Sequence, residues 1–515
     1  MKNSIRTASL LAMCFASTAF AQTREDNIAR CSSPSPDVSI AGCTALIDAK
    51  EPADVSATAY NNRGVAYRDK ADYDKAIADF DQAIKLVPTD ANTFLNRGRA
   101  YRAKNDFDKA LKDFDEALKL EPKNAVALSN RGMTYAAKRD DDRAMKDFNE
   151  ALALNPELPD AYYNRGVMLI EKGQNDKAMA DLDQTIRLAP TFASAYSNRG
   201  VLWGRKGDYD KAIADYDQAI RFNSRSPGAY NNRGIAYYVK REYDRAIQDF
   251  DAALIVNPND ELALENRGNA YRAKDEHDKA IESYDAALKL APNNAVTLVS
   301  RGMSFTGKGE MDRAIQDFDA AIKLNPNLAT AYNNRGVSYN GKADYEHAIA
   351  DFTQAIKLNP KLVTAYNSRG NASFLAGKYP AAIEDFTKTL AMDPNRPYAV
   401  LWLHLARLKS GGNDAAELAR YAAGIDMQAW SGKLVSYYLG KTDQIQLAVA
   451  AGIGAPKTVQ EQKCEFAYYM GAAALARQDK AEAIPSFEAA MSVCPPSFIE
   501  FNGALAELQR LQKAQ

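Results

Sequence analysis

Catalysis needs a small set of side chains in the right company, and this chain has three histidines to offer, His277, His347 and His404. None has a cysteine or serine spaced beside it as a nucleophile, and no zinc-helix or P-loop motif occurs. The carboxylates recur at regular intervals and supply no singular pair for acid–base work. The expectation is a protein that is not an enzyme, with no cofactor, no metal site and no catalytic residue. Cysteine is the other reactive type, at 14, 31, 43, 464 and 494. Four cysteines allow three pairings, and two local pairs, Cys31 with Cys43 and Cys464 with Cys494, are the economical choice in an oxidising compartment. A metal site is the competing use, but no histidine lies near either pair.

An oxidising compartment is what the N-terminus predicts. Residues 1–21 read as a secretory signal: Lys2 and Arg6, an apolar run from Ala8 to Ala16, then Ala19-Phe20-Ala21 before Gln22. The rival reading, a lipoprotein box at Leu11-Ala12-Met13-Cys14, is disfavoured by bulky Met13 and by the shortened apolar run, so a periplasmic protein without a lipid anchor is expected. No stretch of 18 apolar residues occurs later, so no transmembrane span is expected. The 515 residues include 65 basic and 66 acidic ones, a net charge of −1 that argues against a nucleic-acid partner or an anionic lipid surface.

The elements that would position any site come from an internal repeat. Arg-Gly occurs at 63-64 and then every 34 residues to 369-370, ten times. With that glycine as position 8, ten repeats run from Ala57 to Arg396. Position 20 is Ala in all ten, position 24 is Phe, Tyr or Leu, and position 32 is Pro in nine, with Ser224 the exception. Small or apolar residues at positions 4, 8 and 11, then 20, 24 and 27, make two amphipathic helices per repeat. Gly and Ala allow close approach, and Pro ends the second helix. A lone hairpin cannot bury both faces, whereas stacked copies can. The pattern resembles the tetratricopeptide repeat (TPR) family, which implies an all-α, right-handed superhelix, a solenoid of helix hairpins.

The arginine at position 7 departs from the usual TPR leucine. Position 23 is Asp in nine repeats, with Ser283 alone different, so an Arg–Asp bridge between the two helices of each repeat is expected, and Arg267 is expected to be less restrained. Positions 2, 5, 6, 9 and 13 form another stripe, which in the TPR family lines the concave groove. Position 6 carries Asn62, Asn96, Asn130, Asn164, Asn198, Asn232, Asn266 and Asn334, with Ser300 and Ser368 in the other two repeats. Such a ladder can hold the main chain of an extended peptide, or it can tie neighbouring repeats together. Position 9 is mostly apolar, and Arg68, Arg99 and Arg102 add a basic patch toward the N-terminal end. The family's dicarboxylate clamp is missing, since position 5 is never Lys. Lysine at position 14 of nine repeats ends the first helix and complements its dipole.

Outside the repeats, Val38 to Ala49 reads as a lone second helix within an N-terminal cap, 22–56, to which Cys31 and Cys43 staple the incoming strand. Divergent hairpins follow at 397–463. One more repeat, 464–497, returns in register with Gly471, Ala483, Phe487 and Pro495, and 498–515 make a capping helix, so that one continuous solenoid is expected. Trp430, Tyr437 to Gly440, Phe466 to Gly471, Phe487 and Phe498 to Leu508 are similar to the tail of NlpI-type envelope TPR adaptors, which dock peptidoglycan hydrolases and proteases. The resemblance implies an adaptor that binds a peptide segment or partner protein in its groove; the competing reading is a scaffold for envelope assembly or polysaccharide export. Ala212→Leu is expected to lower stability by about 1–3 kcal/mol through overpacking, read as a lower urea midpoint.

Overall fold

The computed structural model describes residues 23–412, 415–495 and 498–513, and among them all regular structure is helical. The predicted signal, 1–21, and the lipoprotein-box reading lie outside the described residues. Two compact units divide at Ser224 and Arg225, where the one repeat lacking Pro at position 32 ends, and each is described by itself.

In the first unit, α1 (Arg24–Cys31) and α2 (Pro36–Asp48) form the cap. The incoming strand is therefore a correction: Cys31 is the last residue of a helix with a Thr23 capping box, and its disulfide to Cys43 joins two helices. Five hairpins follow, from α3 (Ala53–Asp69) and α4 (Tyr73–Leu86) to α11 (Ala193–Arg205) and α12 (Tyr209–Phe222). The second unit repeats the scheme from α13 (Pro227–Val239) and α14 (Tyr243–Val256) to α21 (Val363–Leu375) and α22 (Tyr379–Met392).

Local rules account for the boundaries. Each first helix ends on the position-14 residue as its C-cap, Lys in nine repeats, and the next residue turns left-handed. That turn residue is Gly207 (φ 80°) or Gly309 (φ 79°) in some repeats, but Ala71 (φ 60°) or Ala343 (φ 57°) in others. In the five repeats with Asp at position 16 its side chain then caps the second helix, as Asp72 does by accepting from the Lys75 N–H. The capping lysines reach across to the preceding repeat as well: Lys138 pairs with Asp108 at 2.5 Å and Lys274 with Asp244 at 2.6 Å.

The two helices touch through position 8. A Cβ on Gly64, Gly98 or Gly268 would sit 2.6 Å from the ring of Phe80, Phe114 or Tyr284. Only in the fourth repeat, where Leu182 replaces the ring, does the nearest atom retreat to 3.4 Å from a Cβ on Gly166. Alanine at position 20 has no exposed surface in any of the ten repeats.

The position-7 arginines hold this packing in register. In the nine repeats with Asp at position 23, Nε and Nη2 donate to its two carboxylate oxygens at 2.6–2.9 Å, a bidentate fork. The expected bridge therefore forms, and the remaining nitrogen makes a second contact between repeats. Nη1 reaches position 25 of the preceding repeat: Asp81, Asp115, Asn149 and Asp183 in the first unit, and Asp251, Asp285, Asp319 and Thr353 in the second, at 2.5–3.1 Å. Hydrogen bonding to Asp147 holds the Arg131 guanidinium above its ordinary value, while burial pushes the Asp113 and Asp385 carboxyls up against their arginines. Arg267 is held by Asp251 at 2.7 Å and by Ser283 Oγ at 3.2 Å, a single contact where its counterparts have a fork.

The second unit continues through α23 (Pro397–Lys409), α24 (Ala415–Ala422), α25 (Trp430–Tyr438), α26 (Gln444–Ala451), α27 (Pro456–Ala476), α28 (Lys480–Val493) and α29 (Ile499–Lys513). The returning repeat is α27 and α28, with a Cβ on Gly471 meeting the Phe487 ring at 2.8 Å and Cys464 bonded to Cys494. Its first helix starts at Pro456, eight residues earlier than the repeat register predicts. This region turns back on the repeats: Lys457 pairs with Asp275 at 3.0 Å, and Arg510 of α29 donates to the carbonyls of Phe374 and Leu375 at the end of α21.

Gly200→Ala, whose Cβ would meet the Tyr216 ring at 2.7 Å, is expected to cost about 1–3 kcal/mol, whereas Gly166→Ala gains about 0.5–1 kcal/mol from helix propensity, both read from urea midpoints. Ser283→Asp, which completes the fork on Arg267, is expected to raise stability by about 1 kcal/mol; a fall in the midpoint would contradict the ladder.

Candidate functional site

With positions 4, 8 and 11 turned toward the second helix and position 7 locked to its aspartate, positions 2, 5, 6, 9 and 13 remain on the other side of each first helix. Consecutive first helices within a unit touch directly along this side, as α3 does α5 (Ala91–Ala103) and α19 (Ala329–Gly341) does α21. The structure thus gathers the position-6 asparagines into one face per unit and assigns their bonds.

Three of them tie neighbouring repeats. Asn96 donates to Asn61 Oδ1 at 3.0 Å, Asn198 to Tyr163 Oη at 3.3 Å, and Asn266 to Asn231 Oδ1 at 3.0 Å, each a position-6 amide reaching position 5 of the repeat before. Asn130 and Asn164 donate to their own helix, to Val126 O at 2.8 Å and Asp160 O at 2.7 Å. Asn62 and Asn334 accept from the adjacent Asn61 and Asn333 at 3.3 and 3.4 Å, and Asn232 has no hydrogen-bonded partner among the described residues. The ladder is therefore partly structural. The position-5 partners Asn61, Tyr163 and Asn231 went unrecognised because position 5 shows no repeat-wide residue type; polar residues 35 apart at positions 5 and 6 were the available signal.

The three arginines converge. Arg68 donates to Asn96 Oδ1 at 3.4 Å and pairs with Asp69 at 2.8 Å, Arg99 donates to Asn130 Oδ1 at 3.3 Å, and Arg102 Nη1 meets the Met133 sulfur at 3.0 Å. Arg99 and Arg102 form no ion pair among the described residues, although both are partly buried. Burial pushes the Arg99 guanidinium down, and the charges of Arg68 and Arg102 add to that. Burial likewise lowers Arg102. Arg99 and Arg102, with Ser129, Asn130, Met133 and Asp160, line a cavity of about 290 Å³, and the Asp160 charge opposes the lowering of both.

The second unit offers a different surface on the same positions. Ile235, Val239, Leu262, Val296 and Val337, at positions 9, 13, 2, 2 and 9, are exposed by 38–65%. Exposed apolar side chains in one register are an unsatisfied surface. The histidines lie apart: His277 opens α16 (His277–Leu290), His347 sits 2.8 Å from Asp344 on α20 (Tyr345–Leu358), and His404 packs its ring on Tyr438. Among the described residues no cluster of His, Cys, Asp or Glu has the geometry of a metal site, and no helix is long and apolar enough to cross a membrane.

Family models described as tetratricopeptide repeat match residues 55–123, 95–159, 148–180, 231–295 and 329–362, and one described as TPR repeat matches 204–240 and 302–342. No curated protein matches the chain. Among solved structures, Cut9–Hcn1 of the APC/C is 16% identical over 81% of this chain and 95% of that one, with a TM-score of 0.43. YrrB, a TPR protein described as having an unusual peptide-binding site, is 26% identical over 36% of this chain and 95% of its own, with a TM-score of 0.31. PilF of Pseudomonas aeruginosa is 18% identical over 40% and 93%, with a TM-score of 0.37. The matched segments together span more than half of the chain and fall within the hairpins that carry the glycine–aromatic contacts and arginine forks, and the chain belongs to the tetratricopeptide repeat family.

Proposed function

We propose that this chain is an exported, periplasmic adaptor that holds an extended peptide segment of a partner protein on its first-helix face, serving to recruit hydrolases or proteases of the envelope. TPR proteins bind protein or peptide partners, and the finer reading rests on one contrast. Every position-7 arginine has a built-in acceptor on its own second helix, whereas Arg99 and Arg102, on the free face, make no ion pair among the described residues and share a cavity with a single carboxylate, Asp160. Two partly buried guanidinium groups facing one carboxylate leave the cavity with an excess of positive charge, which favours an arriving carboxylate or main-chain carbonyl. The apolar strip of the second unit suits the side chains of a bound segment. The leader-like residues Lys2 to Ala21 support export.

A photo-crosslinking side chain at Met133 is expected to capture a partner in envelope extract, and Arg99→Ala with Arg102→Ala to reduce that capture about tenfold. Capture from the outward-facing Lys119 alone would favour the scaffold reading instead.

A further inference from the structure

Where the tenth repeat meets the C-terminal region, α21, α23, α27 and α29 enclose a cavity of about 340 Å³. Its chemistry is the reverse of the arginine cavity. Tyr398, Trp402 and Phe498 supply aromatic walls, and Asn371, Glu465 and Glu500 supply oxygen. Asn371 Oδ1 is buried with no hydrogen-bond partner. Glu465 accepts from Tyr398 Oη and Trp430 Nε1 at 2.8 Å, both neutral donors and both on the same oxygen, Oε2. Glu500 is 4% exposed, and among the described residues no lysine or arginine forms an ion pair with it.

Glu507, one helix face along α29, shows how this fold treats a buried carboxylate that serves structure alone. It is 3% exposed and is neutralised by Lys409 and Arg510, each at 2.8 Å. Glu500 and Glu465 receive no such cation. Two carboxylates and an orphan amide oxygen facing one accessible cavity form an acceptor set without a positive charge, and an unpaired buried charge is costly. Aromatic walls beside carboxylates are the surroundings that stabilise a desolvated cation.

We propose that this cavity binds a cationic side chain, arginine or lysine, presented by a peptide lying on the first-helix face. The proposal rests on the peptide-binding reading of that face, since Asn371 occupies position 9 of the tenth repeat.

A proton takes the place of the cation when the cavity is empty. Burial, with the Glu465 charge added, pushes the Glu500 carboxyl up to about 8, opposed by its own backbone and the Tyr469 hydroxyl. Burial also raises Glu465, against its bonds from Tyr398 and Trp430 and with Glu461 adding to the rise. Burial and the charges of Glu465 and Glu500 also push the neighbouring Tyr398 and Tyr469 hydroxyls up, and Tyr468 is raised by burial with Glu507 and Glu500 adding and Arg510 opposing. An arriving cation favours the ionised form, so binding releases a proton from Glu500. Affinity should then rise about tenfold per pH unit below pH 8 and level off above it.

Calorimetric titration of the full chain with acetyl-Gly-Gly-Arg-Gly-Gly-amide, its lysine and citrulline counterparts, and agmatine tests the assignment. The cationic peptides are expected to bind at least about tenfold more tightly than the citrulline peptide, and about tenfold more tightly at pH 7 than at pH 6. Glu500→Gln should weaken binding about tenfold and remove the pH dependence. Asn371→Ala, which leaves both carboxylates in place, should weaken binding and keep that dependence, and it carries the test if the first variant fails to fold by circular dichroism. Equal affinity for citrulline, no binding up to about 10 mM, or affinity indifferent to pH overturns the proposal. Agmatine binding as tightly as the peptides would assign the cavity to free amines and overturn the peptide assignment. The pentapeptides need only the cavity, so their binding without any Met133 crosslink would remove the groove reading alone, and the crosslink without pentapeptide binding would remove the cavity alone.

Discussion

A solenoid has no single core, so each hairpin must be told where the next one sits, and in this chain that instruction is carried by the arginine at position 7. Its fork grips the aspartate of its own second helix, while Nη1 reaches the second helix of the preceding repeat. Apolar contacts alone would leave register soft, because alanine and aromatic layers tolerate sliding more readily than a planar, bidentate ion pair does. The carboxylate is buried while the arginine keeps a partly exposed edge, for instance 4% and 19% of the side chain at Asp113 and Arg97. Such a pair contributes only about 1 kcal/mol of net stability once burial is offset, and much to specifying one geometry.

Locking that side of the first helix determines what the other side can do. Position 7 cannot face a ligand, and positions 4, 8 and 11 are consumed by packing, so recognition falls to the narrow stripe that remains. Even there, Asn96, Asn198 and Asn266 spend their donors on the neighbouring repeat. What stays uncommitted differs between the units: guanidinium groups in one and exposed aliphatic side chains in the other. A scaffold this regular is functionally addressed through its exceptions.

The regular part was legible in the sequence because each repeat states the same constraint ten times. Gly at 8, Ala at 20 and Pro at 32 determine contact and termination locally, and the alternation of Arg and Asp 16 residues apart determines the bridge. The second bond of each arginine was missed although Asp81, Asp115 and Asp183 were in plain view, because their exposed register reads as ordinary helix surface. Both cysteine pairs formed as proximity in sequence suggested. The cap's first helix, the early start of α27 and the return of α29 onto α21 were not legible. They depend on contacts between residues as distant as Arg510 and Leu375, with no repeat to advertise them.

Charge closes the argument. A net of −1 from 65 basic and 66 acidic residues follows from ion pairs built into every repeat, and it conceals two places where the pairing fails in opposite senses. Arg99 and Arg102 make no ion pair among the described residues and have one carboxylate, Asp160, between the two of them, and Glu465 and Glu500 lack cations. Chance mispairing would fall on exposed side chains, where water screens it at little cost. These groups are instead buried or half-buried and line cavities, where leaving a charge uncompensated is most expensive. A fold that satisfies Glu507 with two cations and leaves Glu500, seven residues away on the same helix, with none has kept that position open for something it does not itself contain.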